Sequence, residues 1–441
     1  MKMNNLLARC AAVLALLAPA HVVGAQGTGK DPDLERRITA VMPKVVAWRR
    51  DIHQNPELSY EEERTAKVVA DHLKTLGLEV RANVGGHGVV GVLRGARQGG
   101  VVALRADMDA LPVTEQVDVP FRSRKTATLN GQTVGVMHAC GHDTHVAMLM
   151  GAAEVLAAMK PRLRGTVVFI FQPAEERTEK GMTGGAAKMI ADGALANPAP
   201  TAIFGLHVFS SYATGTIVTR PGGLMASSDA LDIVVHGRQT HGAMPWAGVD
   251  PIVVASQIVT GLQTVVSRQT TLTRTPAIVT IGSMHAGVAR NIIPDSVVMS
   301  GTIRVFDDEQ QNVIHERVKR TAERIAEASG ATATVTIDRG NYVTSNDAAL
   351  FDRMRPTLQR VALTTPLKKD SIGDPTTTAE DFSQYQRRIP GLFVFLGVTP
   401  PGTDPRKAPA NHSPSFYVDE AALPVGVRLL TSLALDYLGG R

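Results

Sequence analysis

Apolar residues at helical intervals open the ordered part of the chain. Val45, Val46, Trp48 and Ile52 recur at roughly that spacing and residues 65–76 repeat it, so residues 33–82 read as helix-rich, with Gly77 as a stop. Continuous apolar runs follow at 88–93, 101–104, 166–171, 202–208 and 392–398, with helical patterns at 145–159 and 185–191 between them. Strands apolar on both faces and alternating with helices predict a buried, mostly parallel sheet, an α/β fold. The order changes after Pro221-Gly222-Gly223. A strand (232–235), a long helix (251–267), two strands (277–281, 297–305), a helix (309–329) and a strand (333–337) succeed one another. That β-α-β-β-α-β order predicts an α+β, ferredoxin-like unit with helices on an antiparallel sheet. The α/β pattern resumes after residue 340, so 223–338 reads as an insertion between 26–222 and 339–441.

Composition narrows the class. A length of 441 residues, 44% of them hydrophobic and 20% charged, fits an enzyme-sized globular chain of two or three domains. The 46 basic and 41 acidic residues form no dense basic stripe interleaved with aromatics, which argues against nucleic acid as a partner. At the N-terminus, Lys2 and Arg9 flank the start of an apolar run at 10–18, Pro19 follows, and Val23-Gly24-Ala25 offers small residues for a cut. Residues 1–25 therefore read as a signal peptide. The run is about half the ~20 residues that span a bilayer. Arg9 before Cys10 argues against a lipoprotein. No later stretch is expected to reach spanning length, so the mature protein is expected to be exported, periplasmic or secreted, and free of the membrane. Cleavage leaves 44 basic against 41 acidic residues, a charge of +3, and removes Cys10. Cys140 is then alone, which excludes a disulfide scaffold and leaves a thiol to be explained.

Four stretches collect metal-ligand residue types: 138–145, 171–176, 205–208 and 411–414. Cys140 and His142 are two apart, which in an extended segment turns both side chains one way, with a helix capped by Asp143 or Thr144 to follow. In isolation such a pair is usually an inert buried thiol near a histidine. With acids at nearby strand ends it becomes a donor set for Zn²⁺ or a similar ion. His138 and His145 read as ordinary helix and loop histidines, since the Cys-x-His pair already supplies two ligands. Glu175 and Glu176 follow a buried strand, where a carboxylate pair is costly unless each has a task. One can bind metal while the other serves as a base. His207 ends the run at 202–206, and His412 lies far along the chain beside Pro414. One Cys, one Glu and three His suffice for two metals with one bridging ligand, and a bridging thiolate would explain the lone cysteine.

The motifs RADMDALP (105–112), HACGHDTH (138–145), FQPAEE (171–176), GLHV (205–208), NIIPD (291–295), GTIR (301–304), AEDF (379–382) and NHSP (411–414) occur in this order. Together they make the chain resemble the M20 metallopeptidase superfamily over residues 48–438. The similarity is to its amidohydrolase branch of hippurate hydrolases, N-acyl-amino-acid amidohydrolases and plant indole-acetyl-amino-acid hydrolases. The resemblance implies a catalytic domain holding two divalent ions (Zn, Mn, Ni or Co) and interrupted by a lid or dimerisation domain. It implies that Cys140 bridges, that Glu176 and His412 complete one metal site and His142 and His207 the other, and that Glu175 is the general base. Relatives outside the branch carry a His-x-Asp pair where Asp107 and Asp109 stand, so these two are expected to support ligands or structure. His241, Asn291 and Arg304 fall at substrate-facing positions, and His241, in many relatives acting from the partner subunit, is expected to be catalytic as well, helping to stabilise the developing oxyanion. A homodimer is therefore expected. The spacer 177–183 leaves acyl specificity open. The implied reaction is hydrolysis of an N-acyl amino acid by a metal-activated water. A dipeptidase or carboxypeptidase with the same centre is the near alternative, and a non-catalytic metal- or substrate-binding exported protein the distant one.

Overall fold

The computed structural model describes residues 31–176, 184–362 and 373–440. The proposed signal peptide and the spacer 177–183 lie outside the described residues. The first helix, Pro32–Gln54, starts where the Asp31 carboxylate accepts the N–H groups of Asp33 and Leu34, with proline at the first position where no donor is missed. It buries Leu34, Ile38, Val41, Val45 and Ile52 along one stripe. After the helix Glu63–Thr75, Gly77 adopts φ +74° and turns the chain into a strand, Glu79–Val84. Apolar patterning misses that strand because only Val84 in it is buried.

Seven strands form the main sheet, in the order Glu79–Val84, Gly88–Arg94, Arg164–Gln172, Arg97–Asp107, Ile203–Ala213, Gly391–Thr399 and Ile217–Val218. The middle four are mutually parallel, and the pairings at either edge are antiparallel. Alternate residues face opposite layers. Val167, Phe169 and Phe171 join the core under the helices Pro32–Gln54, His142–Ala158 and Leu423–Gly439, whereas Val168 and Ile170 join a second core with Met189, Phe382 and Tyr385. Burying each of these phenylalanines contributes about 1.5–3 kcal/mol. Residues 420–439 are long and apolar enough to cross a membrane, contrary to the expectation that no later stretch would be. Their apolarity has another cause, since 72% of that stretch is buried against the sheet and its neighbours.

The inserted unit follows the expected element order. Its antiparallel sheet runs Ala277–Ala286, Ser296–Val305, Ser228–His236, Thr332–Asn341. The helices Pro251–Gln269 and Asp308–Ala328 cover one face, and Leu231, Ile233, Ile258, Leu262, Ile314 and Val318 form a separate core there. The chain enters through Gly222–Met225 and leaves through Thr344–Asn346, and these two strands pair with each other.

Candidate metal centre and active site

The strands Arg97–Asp107 and Arg164–Gln172 end side by side, with Asp107 opposite Gln172. Sites in parallel sheets form beyond such carboxyl ends. The segment carrying Cys140 and His142 is a tight turn, which corrects the extended geometry expected from their spacing. Gly141 adopts φ +94°, and the helix starts at His142 with no side-chain cap. The glycine is required twice over, by that left-handed backbone and because an added Cβ would lie 2.3 Å from Val208 Cγ2. Neither Asp143 nor Thr144 caps. The Thr144 hydroxyl donates back to the Gly141 carbonyl, and Asp143 turns to Arg49 and His53. His207 does not end its strand either, since pairing with Gly391–Thr399 carries the strand on to Ala213.

Five side chains converge. Cys140 Sγ lies 3.3 Å from His207 Nε2 and 3.2 Å from His412 Nε2. Glu176 Oε1 lies 3.4 Å from His412 Nε2 and 3.7 Å from His142 Nε2. Their ligand atoms form two compact groups that share the sulfur, Cys140–His142–His207 and Cys140–Glu176–His412. Tetrahedral bonds of ~2.3 Å to sulfur and ~2.0 Å to nitrogen separate the two donors by about 3.5 Å, so these spacings fit an ion between them. Hydrogen bonds fix the ring orientations. His142 Nδ1 donates to the Asp109 carbonyl (2.9 Å) and His207 Nδ1 to the Val208 carbonyl (2.8 Å), which turns both Nε2 atoms towards the centre. His142 Nε2 and Glu176 Oε1 are buried without hydrogen-bond partners, as atoms awaiting a cation are.

The electrostatics favour positive charge there. Burial lowers the His142 pKa, but Asp107, Asp109 and Glu176 raise it to about 10. Burial and the neighbouring Glu176 and Glu175 push the Cys140 thiol well up, so a thiolate needs a compensating cation. His145 is committed elsewhere. His145 Nδ1 donates to Asp107, and its Nε2 accepts the Val208 N–H at 2.9 Å. His138 is buried, and burial holds it down to about 3, hence neutral. Asp107 takes Arg105 at 2.6 Å besides His145, and Asp109 takes Ser59 at 2.6 Å and the Glu176 N–H at 2.9 Å. Both aspartates thus bond groups that adjoin the candidate ligands.

Glu175 stands beside His142 and Glu176 and accepts the Asp381 N–H at 3.3 Å. Arg105 anchors that neighbour. Its fully buried guanidinium bonds Glu380 and Asp381, each at 2.9 Å. A charge inside an otherwise apolar strand was the sequence signal for Arg105, and it went unread. A cavity of about 760 Å³ opens over the centre. Glu175, Glu176, His207 and His412 line it, together with Arg304 and Arg339 of the inserted unit. His241 and Asn291 are exposed and do not line this cavity. They meet at a small two-stranded antiparallel sheet that joins distant stretches of the insert, where the Gly242 N–H donates to the Asn291 carbonyl at 2.8 Å.

Residues 103–436 match the model of Peptidase family M20/M25/M40. Thermostable carboxypeptidase 2 of Saccharolobus solfataricus is 39% identical over 408 residues, covering 92% of this chain and 98% of that protein. N-acetylcysteine deacetylase of Bacillus subtilis is 37% identical over 396 residues, covering 90% and 97%. Among solved structures, the Bacillus subtilis YXEP protein, a dinuclear metal binding peptidase from the M20 family, aligns with a TM-score of 0.77 at 35% identity, over 91% of this chain and 99% of its own. The chain belongs to peptidase family M20/M25/M40 and is a metal-dependent hydrolase of amide bonds, with the groups that meet at Cys140 as its candidate metal centre.

Proposed function

We propose that the enzyme hydrolyses N-acyl amino acids or closely related amides, with Cys140 bridging two divalent ions (Zn, Mn, Ni or Co). His142 and His207 complete one site, Glu176 and His412 the other. The observation that carries this reading is the shared sulfur of two three-residue groups with Glu175 alongside, open to the cavity. When bound, the ions polarise the amide carbonyl and acidify water. Glu175 takes the proton from the attacking water and returns it to the leaving amine. Arg304, half-buried in the cavity wall, pairs with the substrate carboxylate as a bidentate donor. Supporting the amide class is the similarity to a deacetylase.

The test is a hydrolysis screen over N-acyl amino acids and dipeptides, run with each metal added to the metal-free protein. Acyl-amino acids should be the better substrates. Glu175→Gln should lose about 10²–10⁴-fold in turnover while its metal content stays unchanged. Wild-type turnover in that variant would sink the assignment. A second reading, a carboxypeptidase or dipeptidase, draws on the similarity to the thermostable carboxypeptidase. Higher kcat/KM on dipeptides would favour it.

The same proposal includes export and dimerisation. Residues 1–25 act as a signal peptide and the mature enzyme is periplasmic or secreted. N-terminal sequencing of the processed protein should begin near Gln26, and an intact Met1 would refute it. Two subunits pair so that the exposed His241 and its neighbour Asn291 serve the partner's cavity.

A further inference from the structure

Six non-glycine residues among those described have a positive φ, a backbone region disfavoured for side chains with a Cβ. Three are asparagines, the type that tolerates it, and a fourth is His412 of the centre itself. The other two, Tyr60 (φ +70°) and Ala174 (φ +51°), lie 114 residues apart in sequence yet donate their N–H groups to the same atom, Glu62 Oε1. The bond from Ala174 is 2.7 Å and that from Tyr60 is 3.1 Å.

Glu62 precedes the helix Glu63–Thr75, where a carboxylate ordinarily caps the helix end. It makes no such cap, and its side chain turns inward to complete burial. Oε2 is buried without a partner. Burial, then the charge of Asp109, pushes its pKa up to about 8. A carboxamide would keep the same accepting oxygen at the same reach. Burying an acid for a turn of its own helix would be costly. What it reaches instead is the residue directly before Glu175.

We infer that Glu62 is a positioning residue whose buried carboxyl holds Ala174 in its left-handed conformation and so sets the direction in which Glu175 leaves the sheet. Strained backbone persists only where surrounding contacts over-determine it, and it gathers at functional sites. Here the clamp has two further members. The Ala174 carbonyl accepts the Gly185 N–H at 3.0 Å, and the Glu176 N–H donates to Asp109 Oδ2 at 2.9 Å. Among the described residues, Glu62 is the one side chain that hydrogen-bonds Ala174 itself. The role rests on Glu175 being the base.

The test compares Glu62→Gln, Glu62→Asp and Glu62→Ala with saturating divalent ion. The carboxamide keeps an acceptor at the same reach, so Glu62→Gln should hold kcat within about threefold of wild type. Glu62→Asp falls one methylene short and Glu62→Ala has no acceptor. Both should lose about 10- to 100-fold in kcat with KM changed less than about threefold, the cost of a small misplacement of a reacting group. Independently of turnover, the Ala174 amide should exchange with deuterium at least about tenfold faster in Glu62→Asp and Glu62→Ala than in Glu62→Gln. Unchanged kcat in Glu62→Asp, or equal losses in Glu62→Gln and Glu62→Asp, would overturn the inference, as would unchanged exchange at Ala174. Glu175→Gln assayed alongside separates the two claims: if it keeps its turnover, the base assignment fails, while the exchange rates still decide whether Glu62 clamps Ala174.

Discussion

Cys140 is the residue on which both ligand groups close. A sulfur shared by two ions contributes to each, so its removal should reach beyond one site. Cys140→Ala is expected to lower metal content in both sites, read by elemental analysis of the purified variant, and two ions still bound per chain would remove the bridging role. The same scale explains what sequence could and could not reveal. Cys140, His142, His207 and His412 were legible because their types are uncommon together and recur in motifs. Glu62 was not. It stands in Glu61-Glu62-Glu63, where only the middle residue is buried, and a run of three identical acids carries no sign of which one turns inward. Nor does the sequence show that both nitrogens of His145 are taken, by Asp107 and the Val208 amide.

The helix His142–Ala158 shows how an element carries the site. Its first residue is a proposed ligand, and Gly141 lets the chain turn into it without a side-chain cap. Gly141→Ala combines a left-handed alanine with a clash against Val208, and should cost roughly 2–5 kcal/mol, read from urea denaturation. On the same turn, Asp143 ties the helix to Pro32–Gln54 through Arg49 and His53, and His53 also bonds Glu115 at 3.0 Å. Burial lowers the His53 pKa, yet Asp143 and Glu115 hold it above the ordinary 6.5. A group raised on folding adds stability below its unfolded pKa and loses it as pH climbs through the folded value. His53→Gln should therefore destabilise most below pH 6.5, by about 3–5 kcal/mol as for a broken buried pair, with a smaller penalty at pH 9. An equal penalty at both pH values would contradict the charged state. Continuous apolar strands made the main sheet legible, whereas the exposed edge strand Glu79–Val84 lacked the burial that writes a pattern into sequence.

At the scale of the molecule, the inserted unit supplies Arg304 to the cavity in its own chain but leaves His241 outside it. If His241 serves the partner subunit, His241→Ala and Glu175→Gln should each be inactive alone yet regain activity when mixed and allowed to exchange subunits. The mixed dimer then holds one cavity with both groups intact. No recovery, with subunit exchange confirmed by mass, would place His241 outside the reaction. The order of the insert's elements was readable because each strand and helix shows its own period.

The two strands by which the chain enters and leaves the insert lie side by side, Met225 opposite Thr344. Seen from the catalytic body, more than a hundred residues amount to a long excursion from one hairpin, and a two-residue turn could close the gap left by its excision. Every proposed metal ligand, and Glu175, lies outside that excursion, while Arg304 lies within it. Substitutions, insertions or wholesale exchange of the excursion can thus reshape the part of the cavity lined by Arg304 without passing through the proposed ligands or Glu175. That part of the cavity and the proposed ligands sit on separate stretches of the gene, free to change at different rates.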